Sequence, residues 1–99
     1  MKIIWTHEAL ARLSEIEDFI SKDSPKRAAE FIDQLIERIE TALSDKLRMG
    51  RTVPEIANPD IRELILKGYR IVCRLNENNV EILTVFEGHR LLRTSEIDL

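Results

Sequence analysis

The hydrophobic positions of this chain keep a helical period in its first half and a two-residue period in its second. Ala9, Leu13, Ile16 and Ile20, with Leu10 and Phe19 beside them, recur every three or four residues and predict an amphipathic helix over about 7–22. Thr6 is placed to cap it, and Glu8 falls in its first turn, where the helix dipole favours a negative charge. Ser24-Pro25 then restarts the chain, with serine as cap and proline at the first helical position, where a missing N–H costs nothing. Ala28, Phe31, Ile32, Leu35, Ile36, Ile39 and Leu43 extend the second stripe, predicting a helix over about 25–44. The break between them is short enough to require an antiparallel helical hairpin.

From residue 61 the alternation becomes that of strands. Lys67-Gly68 and Asn76-Glu77-Asn78-Asn79 read as turns of a three-strand antiparallel meander over 61–92. A first loop at 67–68 pairs 66 with 69, 64 with 71 and 62 with 73; a second at 76–79 pairs 75 with 80, 73 with 82 and 71 with 84. One face then collects Leu64, Leu66, Tyr69, Ile71, Cys73, Leu75, Val80, Ile82 and Phe86, with Thr84 among them and Arg62 at the rim, and reads as core. The other collects Ile61, Glu63, Ile65, Arg70, Val72, Arg74, Glu81, Leu83 and Val85, with Arg74 opposite Glu81 and Glu63 diagonal to Arg70 and Arg74. Lys2-Ile3-Ile4-Trp5 predicts a fourth strand at either edge of the meander, and MGRTVPEIANPD at 49–60 reads as a long loop. The expected fold is α+β, in the order β-α-α-β-β-β: two layers, an antiparallel sheet with the helical hairpin on one face.

Length sets the scale: 99 residues suit a single domain with a modest core, here expected to be 1–99. With 43% hydrophobic and 33% charged residues, no stretch of about 20 apolar residues and no signal-peptide pattern, the sequence predicts a cytoplasmic protein without a membrane partner. The lone Cys73 falls on the core face and reads as a small buried hydrophobe. A net charge of −3 argues against a general nucleic-acid binder. The charge is unevenly spread, however: residues 61–93 hold six Lys or Arg against four Glu, and the remainder nine against fourteen acidic residues, so an anionic ligand is expected on the sheet side.

No cofactor or metal is expected, because His7 and His89 lie on distant elements without ligand-spaced neighbours. Glycine-rich phosphate loops and nucleophile–histidine signatures are also absent from the sequence. What remains is Arg62, Arg70, Arg74, His89, Arg90 and Arg93, on the sheet or just after its last strand. Arginines hold phosphate with two-pronged hydrogen bonds and histidine moves protons near neutral pH, so such a set suits a phosphodiester. Arg70 and Arg74 each also have a glutamate within cross-strand reach, and an ion-pair ladder accounts for them equally well. Ile65, Val72, Leu83 and Val85 form an apolar strip on the uncovered face, which predicts a binding surface there.

Read together, the element order, WT-x-x-AL at 5–10, the Ser-Pro helix start, GR-x-VPE at 50–55, IREL at 61–64, YRI at 69–71 and EILTVFEGHRLL at 81–92 resemble the ParE branch of the RelE/ParE toxins of type II toxin–antitoxin systems. The likeness runs through nearly the whole chain. It implies a cognate antitoxin that assembles with the toxin, in a homo- or hetero-oligomer, through Ile65, Arg70, Val72, Arg74, Leu83 and Val85. Two activities occur in the family. RelE-like members cleave mRNA on the ribosome, and Arg90 stands in the place of one RelE arginine, so a nuclease would use Arg62, His89 and Arg90. The C-terminal tyrosine common in that branch is missing, and the 51–60 loop has no lysine. Cleavage would lose about 10²-fold per missing group. ParE-like members instead inhibit DNA gyrase without acid–base chemistry. That reading leads, with Arg62, His89, Arg90, Leu91 and Leu92 as the target-binding surface; a ribosome-dependent nuclease and a degenerate toxin that only binds its antitoxin are the alternatives.

Overall fold

The computed structural model describes residues 2–44, 50–56 and 58–88. Strand β1 spans Lys2–Trp5, helices α1 and α2 span His7–Ser21 and Pro25–Leu43, and strands β2 to β5 span Arg51–Thr52, Ile61–Leu66, Tyr69–Leu75 and Asn79–Glu87. Both helix starts follow from local chemistry. The Thr6 hydroxyl accepts the Ala9 N–H at 3.2 Å, and Ser24 Oγ accepts the Arg27 N–H at 3.2 Å ahead of Pro25. Leu13, Leu35, Ile39 and Leu43 from the two helices pack with Ile71, Cys73, Val80 and Ile82 from the sheet to form the main core.

The sheet has five strands in the order β1-β5-β4-β3-β2. The meander pairs as its turns predict at 66–69, 64–71 and 62–73, and at 75–80 and 73–82. Lys67 and Gly68 both take positive φ, 52° and 83°, as the tight turn between right-twisted strands demands. Three features of the sheet are decided beyond these turns. Strand β1 lies parallel to β5 on the outer edge, a pairing that closes through both helices. Arg51-Thr52, read as loop, pairs antiparallel with Glu63 and Arg62 as the fifth strand.

The third is a β-bulge in β5, where Cys73 pairs with Ile82 but Val72 with Thr84, leaving Leu83 as the extra residue. The expected 71–84 pair is therefore corrected to 71–85. One inserted residue exchanges the faces of everything that follows. Val85 accordingly joins the helix-covered core instead of the opposite face, and Phe86 leaves that core for the opposite side. The bulge is held by Thr6, whose hydroxyl donates to the carbonyls of Ile82 at 2.7 Å and Leu83 at 3.1 Å while its N–H donates to Ile82 at 3.2 Å. A carbonyl displaced from its ladder thus keeps a donor. No helix among the described residues is long and apolar enough to cross a membrane.

Candidate functional site

The sheet face away from the helices is not open. Val53 and Ile56, from the segment between β2 and β3, lie on it and bury Ile61, Val72, Leu83 and Phe86 in a second apolar cluster. This corrects the expected exposed strip. Val72, Leu83 and Val85 are all buried, the first two beneath this segment and Val85 on the helix side, and only Ile65, at 54% exposure, remains open near the hairpin end. Two apolar residues in a stretch interrupted by Pro54 and Pro59 carry no period, so their destination was not visible in the hydrophobic pattern.

Arg70 fastens this segment. Its two terminal guanidinium nitrogens each donate to one Glu55 oxygen at 2.8 Å, and its Nε donates to Glu63 Oε2 at 2.6 Å. The other Glu63 oxygen accepts Arg51 Nε at 2.7 Å. Two carboxylates and two guanidiniums form a neutral chain in which Glu63 is 1% and Arg70 5% exposed. Phe86 lies under the Arg70 guanidinium, 5.0 Å from ring centre to Cζ. Burying the Arg70 charge would lower its pKa, but the hydrogen bonds from Glu55 first, and then Glu63, outweigh that and raise it. Arg70 therefore remains a cation. Its cross-strand partner Glu63 was legible in the strand register; Glu55 and Arg51 were not, because they reach the network from the segment read as loop.

Gly50 permits the arrangement. At φ 80° it sits so close to β3 that a Cβ would lie 1.9 Å from the Glu63 carbonyl oxygen. The fragments GR-x-VPE, IREL and YRI, scattered over twenty residues, thus supply one assembly: Gly50 for approach, and Arg51, Glu55, Glu63 and Arg70 for charge.

The remaining sheet residues divide. Arg74 is half-buried and faces Glu81 at 3.8 Å, as the register implied. Arg62 is half-buried, and its Nε donates to the Pro59 carbonyl at 2.9 Å. His89, Arg90, Leu91 and Leu92 lie outside the described residues. Cys73 is buried, and the loss of water pushes its thiol up to about 12, as expected of a packing residue.

Beside this face, between α1 and the end of β5, lies a cleft of about 200 Å³ that the sequence did not signal. Ile16, Phe19, Tyr69, Val85 and Phe86 contribute its apolar lining, and Phe19 is 69% exposed. Burial, and then the nearby Glu87 charge, raise the Tyr69 pKa, which keeps the phenol neutral.

A family model described as the ParE toxin of type II toxin–antitoxin systems, parDE, matches residues 3–92. A protein of Sinorhizobium fredii (strain NBRC 101917 / NGR234) named "Putative toxin Y4kP" is 36% identical over 91 residues, which make up 90% of each chain. Among solved structures, one described as a chromosomal ParDE TA system from P. aeruginosa superposes with a TM-score of 0.73, covering 88% of this chain and 95% of that one. Its identity of 22% makes it a likeness of fold.

Proposed function

The chain belongs to the ParE toxin family of type II toxin–antitoxin systems, and we propose from that premise that it arrests growth by inhibiting DNA gyrase and is neutralised by a co-encoded antitoxin. The observation that carries the choice of target is the closed Arg51–Glu63–Arg70–Glu55 chain. A ribonuclease needs guanidiniums free to meet a developing phosphorane charge and a group able to move a proton. Here Arg70 is committed to two glutamates, and the one tyrosine lies on the helix side against Phe31, ring centres 5.8 Å apart. Gyrase inhibition asks only for a surface.

That surface comprises Arg62 and the residues after β5, His89, Arg90, Leu91 and Leu92. The antitoxin meets the open end of the sheet at Ile65 and Arg74, while Arg70, Val72, Leu83 and Val85 act from beneath by fixing the shape of the contact. Both partners assign the chain to the cytoplasm. Purified toxin is added to gyrase with supercoiled plasmid and, separately, to translating ribosomes with a defined mRNA. Inhibited supercoiling or trapped cleaved DNA, with intact mRNA, is the expected result. Cleaved mRNA with normal supercoiling rejects the proposal in favour of the nuclease, and silence in both assays with antitoxin binding retained assigns a degenerate toxin.

A further inference from the structure

Strand β1 ends the sheet on one side with an edge that nothing in the strand blunts. It pairs with β5 alone, and among the described residues no strand lies along its other side. Open edges are normally guarded by shortness, proline, charge or a bulge. The opposite border is guarded in this way, since β2 has only two residues, Arg51 and Thr52, and Pro54 follows closely. β1 reads Lys-Ile-Ile-Trp, with its single charge at the first position and with Ile3, Ile4 and Trp5 all half-buried. Ile3 and Trp5 pack on the main core, whereas Ile4 points to the opposite face and belongs to neither apolar cluster.

One bond fixes where the backbone groups of this edge point. Thr6, still extended at φ −73° and ψ 163°, donates its N–H to the Ile82 carbonyl of β5. Backbone groups turn to alternate sides along a strand, so Ile4 also directs its N–H and C=O to β5, while those of Ile3 and Trp5 point out of the sheet. Two outward residues thus flank one inward residue. That spacing is its own complement. A second β1, antiparallel and related by a two-fold axis through Ile4, sets Ile3 of one copy against Trp5 of the other, and each such pair exchanges two hydrogen bonds. Ile4 then meets its own mate at a non-hydrogen-bonded position, with Cα atoms about 4.5 Å apart. The two Lys2 residues fall about 14 Å apart at 3.4 Å per residue, so no like charges face each other.

We propose that β1 is the interface of a two-fold homodimer, in which a second copy of this chain adds its own β1 and joins two five-stranded sheets into one. An axis perpendicular to the sheet keeps the helices of both copies on the same side. Ile3 and Trp5 then form cross-strand pairs of a β-branched and an aromatic residue, and the main core continues from one copy into the next. The pairing stands on the sheet alone, independently of the gyrase reading.

The test uses the full chain without antitoxin. It should sediment as a dimer that dissociates on dilution, and the Ile3 and Trp5 amides should exchange slowly in the dimer and fast in the monomer. Ile4→Glu, which leaves both cores untouched and sets two carboxylates on the axis, should weaken self-association by about tenfold or more. Under mild oxidation Ile4→Cys should give a covalent dimer of folded chains, whereas Lys2→Cys, too far from its mate, should not. Cys73 is buried and does not compete. A monomer at every concentration, undiminished pairing in Ile4→Glu, or cross-linking of Lys2→Cys as fast as Ile4→Cys overturns the proposal. So does a monomer whose Ile3 and Trp5 amides exchange slowly from the start, which gives the edge to the chain's own residues, or only once antitoxin is added, which gives it to that partner. Whether gyrase is the target alters none of these outcomes.

Discussion

Arg70 and Glu55, fifteen residues apart in sequence, meet through two parallel hydrogen bonds of 2.8 Å, and through them the segment before β3 is closed over the sheet. The pair converts a stretch without hydrophobic period into the lid of a second core, because Val53 and Ile56 are carried down with it. A fork-to-carboxylate match suits this role, since its geometry admits few competing registers.

Removing one charge from this network is predicted to be worse than removing its neighbours' charge as well. Arg70→Met takes from Glu55 and Glu63 the guanidinium they share, leaving the buried Glu63 only the exposed Arg51, and should lower unfolding stability by about 3–5 kcal/mol. Arg70→Met combined with Glu63→Gln and Glu55→Gln should recover part of the loss. Denaturant titrations of the three proteins, with equal slopes, check this; a triple variant less stable than Arg70→Met would mean that the network is held for shape alone.

Two glycines with nearly the same φ should respond differently to alanine. At Gly68, φ 83°, an added Cβ meets nothing within 4 Å, so the cost is the left-handed backbone strain of about 1–2 kcal/mol. At Gly50 the same strain is joined by collision with the backbone of β3, which cannot rotate away. Gly50→Ala should therefore cost more and strip amide-exchange protection from β2 and the 53–56 segment, whereas Gly68→Ala leaves that protection in place.

Thr6 caps α1 and secures the bulge with the same hydroxyl. Thr6→Val, close in shape, should cost at least the 1 kcal/mol or so of a lost cap, and more for the orphaned Leu83 carbonyl. Thr6→Ser should recover most of it. Chemical shifts of Leu83 and Thr84 that stay unmoved in Thr6→Val would show that the bulge is set by packing without this residue.

Cys73 predicts a slope in alkaline stability. Its thiol rises from an ordinary value of 9.0 to about 12 on folding, so the unfolded chain loses its proton first. The stabilising contribution is complete below pH 9 and is lost as pH climbs towards 12. Between pH 8 and pH 10 the native chain should lose about 1 kcal/mol more than Cys73→Ala does over the same interval. Parallel curves for the two proteins would contradict this.

For the target surface, Arg90→Glu and Leu91→Ser are expected to weaken gyrase inhibition by about tenfold or more, equivalent to about 1.4 kcal/mol of contact. Antitoxin affinity should stay near that of the parent, because Ile65 and Arg74 are unaltered. Ile65→Asp is the reciprocal variant, weakening antitoxin binding while inhibition persists. Equal losses in both assays from any of these changes would merge the two surfaces into one.

What the sequence by itself determined was everything governed by neighbours a few residues apart. The caps at Thr6 and Ser24, the two helical stripes, the Lys67-Gly68 turn and the register of the hairpin that it closes all follow from periods and turn chemistry, and so does the Arg74–Glu81 pair. Fragments scattered from residue 5 to 92 were enough to identify the family, which the match over residues 3–92 shows. Tertiary structure decided where elements far apart in sequence come together. The parallel seat of β1 on β5 depends on the helices returning the chain, and β2 on Gly50 having no side chain. The bulge at Leu83 rests on a carbonyl that Thr6 holds from the other end of the sequence, and a single residue inserted there sent Val85 inward and Phe86 outward. A strand's alternation fixes its faces only between irregularities, and a loop's two apolar residues have no period to betray what they cover; both are settled by packing.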